Sequence, residues 1–227
     1  MSASLPDYAD VMYFRASHPR ARMKSKRMSW LEPVQLTGAA VTLIPLEIDH
    51  IEPLQAAVMD GELWKLWYAN VPACEQMENY VARAVESAAQ GNVAFAVRLN
   101  GTDRIVGTTR FYNVDEINRR PMLGYTWYAK SVCKTGVNTE CKLLLLQYVF
   151  EEKHAIAVEF RTHYFNRVSR AAIERLGAKQ DGILRSHQIM RDGSIRDTVV
   201  YSILQHEWPA VKNNLTSKLL SYNRGGD

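Results

Sequence analysis

Thr135-Gly136-Val137-Asn138-Thr139-Glu140 lies between a strand-like run, Leu123-Gly124-Tyr125-Thr126-Trp127-Tyr128, and an apolar helix-like run from Lys142 to Glu152. A strand that turns through a glycine-bearing loop into a helix presents unpaired N–H groups at the positive end of the helix dipole. That arrangement suits a phosphate or pyrophosphate. Asn138 or Thr139 offers an N-cap, and Glu140 supplies the acidic first-turn residue such helices favour. One glycine is a weak motif, however. On the loop alone, an ordinary strand-to-helix turn that binds nothing is the simpler reading. The segments around it change that balance.

Working outward, Val41 to Pro45 reads as a short strand, Ile48 to Met59 as a helix, and Glu75 to Ala89 as a second helix closed by Gln90-Gly91. Val93 to Leu99 and Arg104 to Tyr112 are strands joined at Asn100-Gly101, the strongest hairpin signal in the chain. Met122 to Tyr128 is a third long strand. Beyond the loop and its helix, Ile156 to His163 is a strand and Asn166 to Leu176 a helix ended by Gly177. Ile183 to Met190 and Ile195 to Leu204 form a last hairpin around Asp192-Gly193, and Trp208-Pro209 opens a terminal helix. This order predicts an α+β fold with a mainly antiparallel sheet.

The chain has 227 residues, 47% of them hydrophobic and 23% charged, which suits one globular domain with a sizeable core. No apolar run reaches the length of about 18 residues that a membrane helix needs, and no secretory leader is evident. Cys74, Cys133 and Cys141 show neither metal-ligand spacing nor a paired framework, so free thiols in a cytoplasmic protein without a metal are expected. Arg15, Arg20, Arg22, Lys24, Lys26 and Arg27 stand against Asp7 and Asp10, which accounts for the whole net charge of +4. The remainder is electrically balanced, which argues against a nucleic-acid-binding face. Residues 1–30 therefore read as a basic, flexible extension without function of its own, 31–220 as the single domain, and 221–227 as a polar tail.

Four ordered blocks carry a family resemblance: Gly124-Tyr125-Thr126-Trp127-Tyr128; Thr135 to Glu140 with Lys142-Leu143-Leu144-Leu145; Asn166 to Ala178; and Asp192 to Thr198. Together they resemble the GNAT N-acetyltransferase superfamily and its RimJ/RimL-type branch over nearly the whole body. The resemblance implies a seven-stranded mixed sheet flanked by helices, with two splayed central parallel strands. It also implies acetyl-CoA as co-substrate, a primary-amine acceptor, and a monomer or homodimer.

By that resemblance the pyrophosphate loop is Cys133-Lys134-Thr135-Gly136-Val137-Asn138. Cys133 and Asn138 depart from the family pattern at its first and last positions. Backbone donation does not depend on side chain, so the departures weaken the match without abolishing binding, and Lys134 adds a positive charge near the phosphates or is simply a solvated loop lysine. The pantetheine arm is expected between the strands Met122–Tyr128 and Ile156–His163. Trp127 and Tyr128 then flank the acetyl group or the substrate entrance, or else pack in the core. Asn166 and Ser169 are expected at the cofactor arm, with Ser169 slightly favoured over Tyr164 as the acid that protonates the departing thiolate.

Family members often carry Glu just before the Gly-Tyr-Thr-Trp block, whereas this chain has Met122. His187, Asp115, Glu116 and Asp197 remain as candidate bases. His187 has an ordinary pKa of ~6.5, suited to work near neutrality. A hairpin turning at Asp192-Gly193 would set His187 opposite Thr198 and Gln188 opposite Asp197, leaving Asp197 for Arg196 or a helix end. A site without a dedicated carboxylate favours an α-amino group, of pKa ~8, over a lysine of ~10.4. The resemblance implies acceptor recognition by the first two helices and the last hairpin, so the aromatic run with Trp64, Trp67 and Tyr68 is a candidate pocket wall, and Arg110, Tyr112 and Arg185 are further candidate acceptor-binding residues. Two alternatives stand beside this reading: a small-molecule-detoxifying acetyltransferase, and a non-catalytic acyl-CoA-binding protein.

Overall fold

The computed structural model describes residues 29–224; most of the basic extension and the end of the polar tail lie outside them. Eight strands form one sheet in the order β1-β2-β3-β4-β5-β6-β8-β7. They are β1 Leu36–Thr37, β2 Val41–Pro45, β3 Val93–Leu99, β4 Ile105–Asp115, β5 Arg120–Tyr128, β6 Ala157–His163, β7 Lys179–Ile189 and β8 Ile195–Leu204. All neighbours pair antiparallel except β5 and β6. The strand beyond the seven expected is β1, two residues long, which no periodicity could reveal.

Among the described residues five α-helices flank the sheet: α1 Ile51–Met59, α2 Met77–Glu86, α3 Val137–Gln147, α4 Arg167–Leu176 and α5 Trp208–Arg224. Helix α1 packs on β4 and on α2, whereas α3 packs against β2 and α5. Residues Ile105 to Phe111 of β4 are buried without interruption, as expected for a strand covered on both faces. Phe95, Phe111, Leu145, Leu146 and Tyr201 are among the largest side chains fully removed from water. Helix α5 continues through Arg224, past residue 220 where the tail was expected to begin. From Ala210 to Arg224 it contains no glycine or proline to interrupt it.

The Asn100-Gly101 turn closes the β3–β4 hairpin as expected. The Asn100 amide also donates to the Gly38 and Ala39 carbonyls at 2.9 and 3.0 Å and accepts from Thr42 Oγ1 at 2.7 Å. It thereby fixes the β1–β2 turn. Glu140 reaches the same turn from α3. Its carboxylate accepts from the amides of Ala39, Ala40 and Val41 at 2.5, 2.9 and 3.1 Å. The first-turn acid of α3 is thus a buried tie between helix and sheet rather than a solvated dipole partner. Gly38 must lack a side chain, because a Cβ there would lie 2.5 Å from Glu140 Oε1.

No helix among the described residues is long and apolar enough to cross a membrane, and no cluster there of three or more His, Cys, Asp or Glu could hold a metal ion.

Candidate active site

Strands β5 and β6 pair at Met122 and Glu159 and then diverge toward their C-terminal ends. Beyond that contact β5 carries a bulge in its pairing with β4: Thr108 pairs with Trp127 and Arg110 with Gly124, so Tyr125 and Thr126 together oppose Thr109. Tyr125 takes a left-handed backbone, φ 51°. A bulge takes an amide out of the ladder and re-aims a side chain. Here it turns Tyr125 over the Arg110 guanidinium, 4.1 Å from the ring centre, on the face covered by α2. On the α3 face, Lys142 Nζ donates to Thr109 Oγ1 and Thr126 Oγ1, which lie 2.8 Å from each other. Burial pulls the Lys142 ammonium down to about 8.

The loop Cys133 to Asn138 leads from β5 into α3. The helix begins at Val137 with Gly136 as its N-cap, so neither Asn138 nor Thr139 caps it as expected. Gly136 is right-handed, φ −68°, and the left-handed residue of the loop is Lys134, φ 63°. Thr135 Oγ1 donates to the Val132 carbonyl at 2.6 Å and accepts from the Val137 amide at 3.3 Å, taking the capping role by another route. The amides of Lys134, Thr135 and Gly136 make no hydrogen bond to a protein acceptor among the described residues. They stand with the first-turn amides of α3 at the helix's positive end, as an anion site requires. Cys133, Lys134 and Thr135 are exposed.

Trp127 and Tyr128 belong to the packing: Trp127 is 4% exposed within the core, and the Tyr128 hydroxyl is buried beside Cys141. Asn166 caps α4, its Oδ1 accepting the Ser169 amide at 3.0 Å, and both residues lie at the C-terminal end of β6. Tyr164 stands just before them, its ring between the Arg167 and Arg170 guanidinium groups at 5.3 and 5.1 Å.

His187 Nδ1 lies 3.0 Å from Thr198 Oγ1, but through a bulge: the residue opposite Thr198 is Leu184, and Gln188 faces Arg196 instead of Asp197. Asp197 pairs not with Arg196 but with the Ser186 amide and with Arg185 at 2.6 Å, and these contacts hold its carboxyl below the usual range. Asp115 caps a turn at Asn118. Two residues at the splay were not singled out from sequence. Glu159, opposite Met122 and 6% exposed, is bound by Arg120 at 3.0 Å and Arg161 at 2.5 Å. His163, at the end of β6, accepts the Phe165 amide at Nδ1, while its buried Nε2 has no partner. Burial lowers its pKa, which favours the neutral ring, as does the amide that Nδ1 accepts. A histidine or glutamate on a strand carries no local signal that could have found either.

Of the candidate acceptor residues, Arg185 lines one cavity, Arg110 and Tyr112 line another, and Trp64, Trp67 and Tyr68 line neither. One of about 510 Å³ is lined by Tyr164, Phe165, Arg185 and Asp197. Trp67, 54% exposed, approaches it through Phe165 and His163 at 6.0 and 5.1 Å and touches Tyr68 at 5.5 Å, while Trp64 packs partly on the core. The other, of about 640 Å³, holds Arg110 and Tyr112 between α2 and the β4–β5 bulge.

The parallel pair thus meets only at Met122 and Glu159, the bulge lies beyond that contact, and the α3 N-terminus follows the C-terminal end of β5. A family model described as an acetyltransferase (GNAT) domain matches residues 40–179, and the chain belongs to that family. It is 33% identical over 108 residues to a Bacillus subtilis (strain 168) protein named Putative ribosomal N-acetyltransferase YdaF, a match of 48% of this chain and 58% of that one. The chain thus spans little more than half the length of that relative. A GCN5-related N-acetyltransferase from Brucella melitensis superposes with a TM-score of 0.75 at 27% identity, over 84% of this chain and 87% of that one. The fold is shared with Mycobacterium smegmatis RimJ, solved with CoA-disulfide, at a TM-score of 0.69 and 19% identity, over 82% and 95% of the two chains.

Proposed function

We propose that this protein is an acetyl-CoA-dependent N-acetyltransferase that modifies a primary amine, an α-amino group in preference to a lysine side chain. The observation that carries the reading is the bulge at Tyr125-Thr126, beyond the last residue at which β5 pairs with β6, on a strand that leads into the free amides of Lys134 to Gly136. Those amides suit a pyrophosphate, and Lys134 adds a charge beside it. The splay suits the pantetheine arm, and a bulge amide suits the carbonyl oxygen of the thioester.

The amine attacks the thioester carbonyl, forming the C–N bond as the C–S bond breaks, and the protein holds both reactants in place. The departing thiolate takes a proton from Ser169, with Tyr164 the alternative donor. The amine's proton leaves to water or to a histidine at the C-terminal end of the splay. Glu159 is committed to two arginines and Asp197 to Arg185, so the site lacks a free carboxylate among the residues named. An amine that is substantially neutral at physiological pH needs the least help, which supports an α-amino group.

The test is release of free thiol from acetyl-CoA with N-terminal peptides, free amino acids, polyamines and aminoglycosides, with acetyl-CoA binding followed in the same samples. Turnover with one amine class names the acceptor, and aminoglycoside turnover alone would make this a detoxifying enzyme. Tight binding without turnover on any amine would make it a non-catalytic acyl-CoA binder.

A further inference from the structure

Arg110 is 7% exposed, forms no ion pair among the described residues, and leaves Nε and Nη2 buried without a hydrogen-bond partner. Its guanidinium lies between the rings of Tyr80 on α2 and Tyr125 on the bulge, 4.7 and 4.1 Å from their centres. Cation–π contact offsets part of the cost of burial but satisfies none of the N–H donors. A buried cation kept without a carboxylate is a strong asymmetry, since removing the partner of a buried pair is ordinarily very costly.

The surroundings share that asymmetry. The cavity of about 640 Å³ beside Arg110 is also lined by Arg83 and Arg191, and by no Asp or Glu. Tyr112, another lining residue, is pushed up to about 12 mainly by burial, so its hydroxyl keeps its proton and remains a donor. Arg110 pairs across the strands with Gly124, the residue just before the bulge. Tyr125, whose ring covers the guanidinium, is itself a bulge residue, so an anion held by Arg110 lies beside the bulge at which the transferase reading places the acyl group. An acceptor that reaches both holds its anion and its amine close together.

We infer that the acceptor carries a carboxylate a few bonds from its reactive amine, and that Arg110 binds this carboxylate in the cavity between α2 and the β4–β5 bulge. The inference rests on the transferase reading above. Two sources share the chemistry: a free α-amino acid, and a peptide whose first residue is Asp or Glu.

The experiment measures thiol release by wild type, Arg110→Met and Arg110→Lys with glutamate, with peptides beginning in Glu or Asp, and with the same peptides beginning in Gln or Asn. Wild type should prefer the acidic acceptors at least tenfold in kcat/KM. Arg110→Met should raise KM for them about ten- to hundredfold, the loss of a charged hydrogen bond, and should leave KM for acetyl-CoA unchanged. Arg110→Lys should retain part of the preference. Turnover of glutamate or of the acidic peptides identifies the source. Equal use of acidic and amide acceptors by wild type, or an equal loss on both in Arg110→Met, overturns the inference. Calorimetric titration of succinate, with and without acetyl-CoA, decides the matter even where no amine turns over. Binding to wild type that Arg110→Met abolishes supports it, and no binding to wild type sinks it. Failure to bind acetyl-CoA would instead remove the transferase reading.

Discussion

Lys142 Nζ lies 2.8 Å from Thr126 Oγ1, so a buried ammonium on α3 grips β5 at its bulge. The same nitrogen reaches Thr109 on β4, the residue the bulge is wrapped around. The contact locks the bulge from the face opposite Arg110, and holds Tyr125 over the guanidinium.

The grip has a pH signature. The folded-state pKa of Lys142 is lowered to about 8, against ~10.4 in an unfolded chain. Below pH 8 both states carry the proton and the cost of a buried ammonium is present in full. Between pH 8 and ~10.4 the unfolded chain keeps a proton the folded one has lost, so stability rises with pH through that window. Lys142→Met should be more stable than wild type at pH 7, with the difference shrinking by pH 10. Urea midpoints at both pH values check this, and a difference that does not change with pH would refute it.

Glu140 ties α3 to the β1–β2 turn through three backbone amides. Glu140→Ala strands those donors and should cost ~2–4 kcal/mol in chemical denaturation. Glu140→Gln keeps one accepting oxygen and should cost clearly less. Equal losses in the two variants would mean that volume, not hydrogen bonding, makes the tie.

Cys133 opens the anion loop and is exposed, whereas Cys141 is buried and Cys74 intermediate. Partial burial raises the Cys133 thiol, so its alkylation should be slow at pH 7 and faster at pH 9. Acetyl-CoA should protect Cys133 and leave the Cys74 rate alone, as read by peptide mass spectrometry. Alkylation of Cys133 at the same rate with saturating acetyl-CoA would place the pyrophosphate elsewhere.

Ser169 gives its amide, not its hydroxyl, to the Asn166 cap. Ser169→Ala should therefore leave thermal stability unchanged while lowering kcat by about a hundredfold or more if its hydroxyl protonates the thiolate. Tyr164→Phe should have the smaller effect on kcat. The reverse order would assign the acid role to Tyr164. Asn166→Ala should cost about 1 kcal/mol of stability through the lost cap.

Much of the architecture follows from local sequence. β2, β3 and β8 fall at the boundaries their apolar runs mark, and Asn100-Gly101, Gly177 and Asn166 punctuate the chain where turn and cap chemistry require. The ordered blocks from Gly124 to Thr198 likewise name the family, because they preserve the spacing of strand, anion loop and capped helix. Pairing partners across the chain are another matter. That Glu140 would spend its carboxylate on Ala39 to Val41, about a hundred residues away, depends on where α3 settles over β1 and β2. Whether Trp127 faces substrate or core turned on the β5 bulge, and the bulge is a mismatch between two strands that neither one encodes alone. The register at His187 was displaced by a bulge in β7 for the same reason. Composition counted Arg110 among the charges of a balanced domain. Only tertiary structure buried it between two tyrosines without a carboxylate, because burial and charge pairing are properties of the packed assembly rather than of the chain.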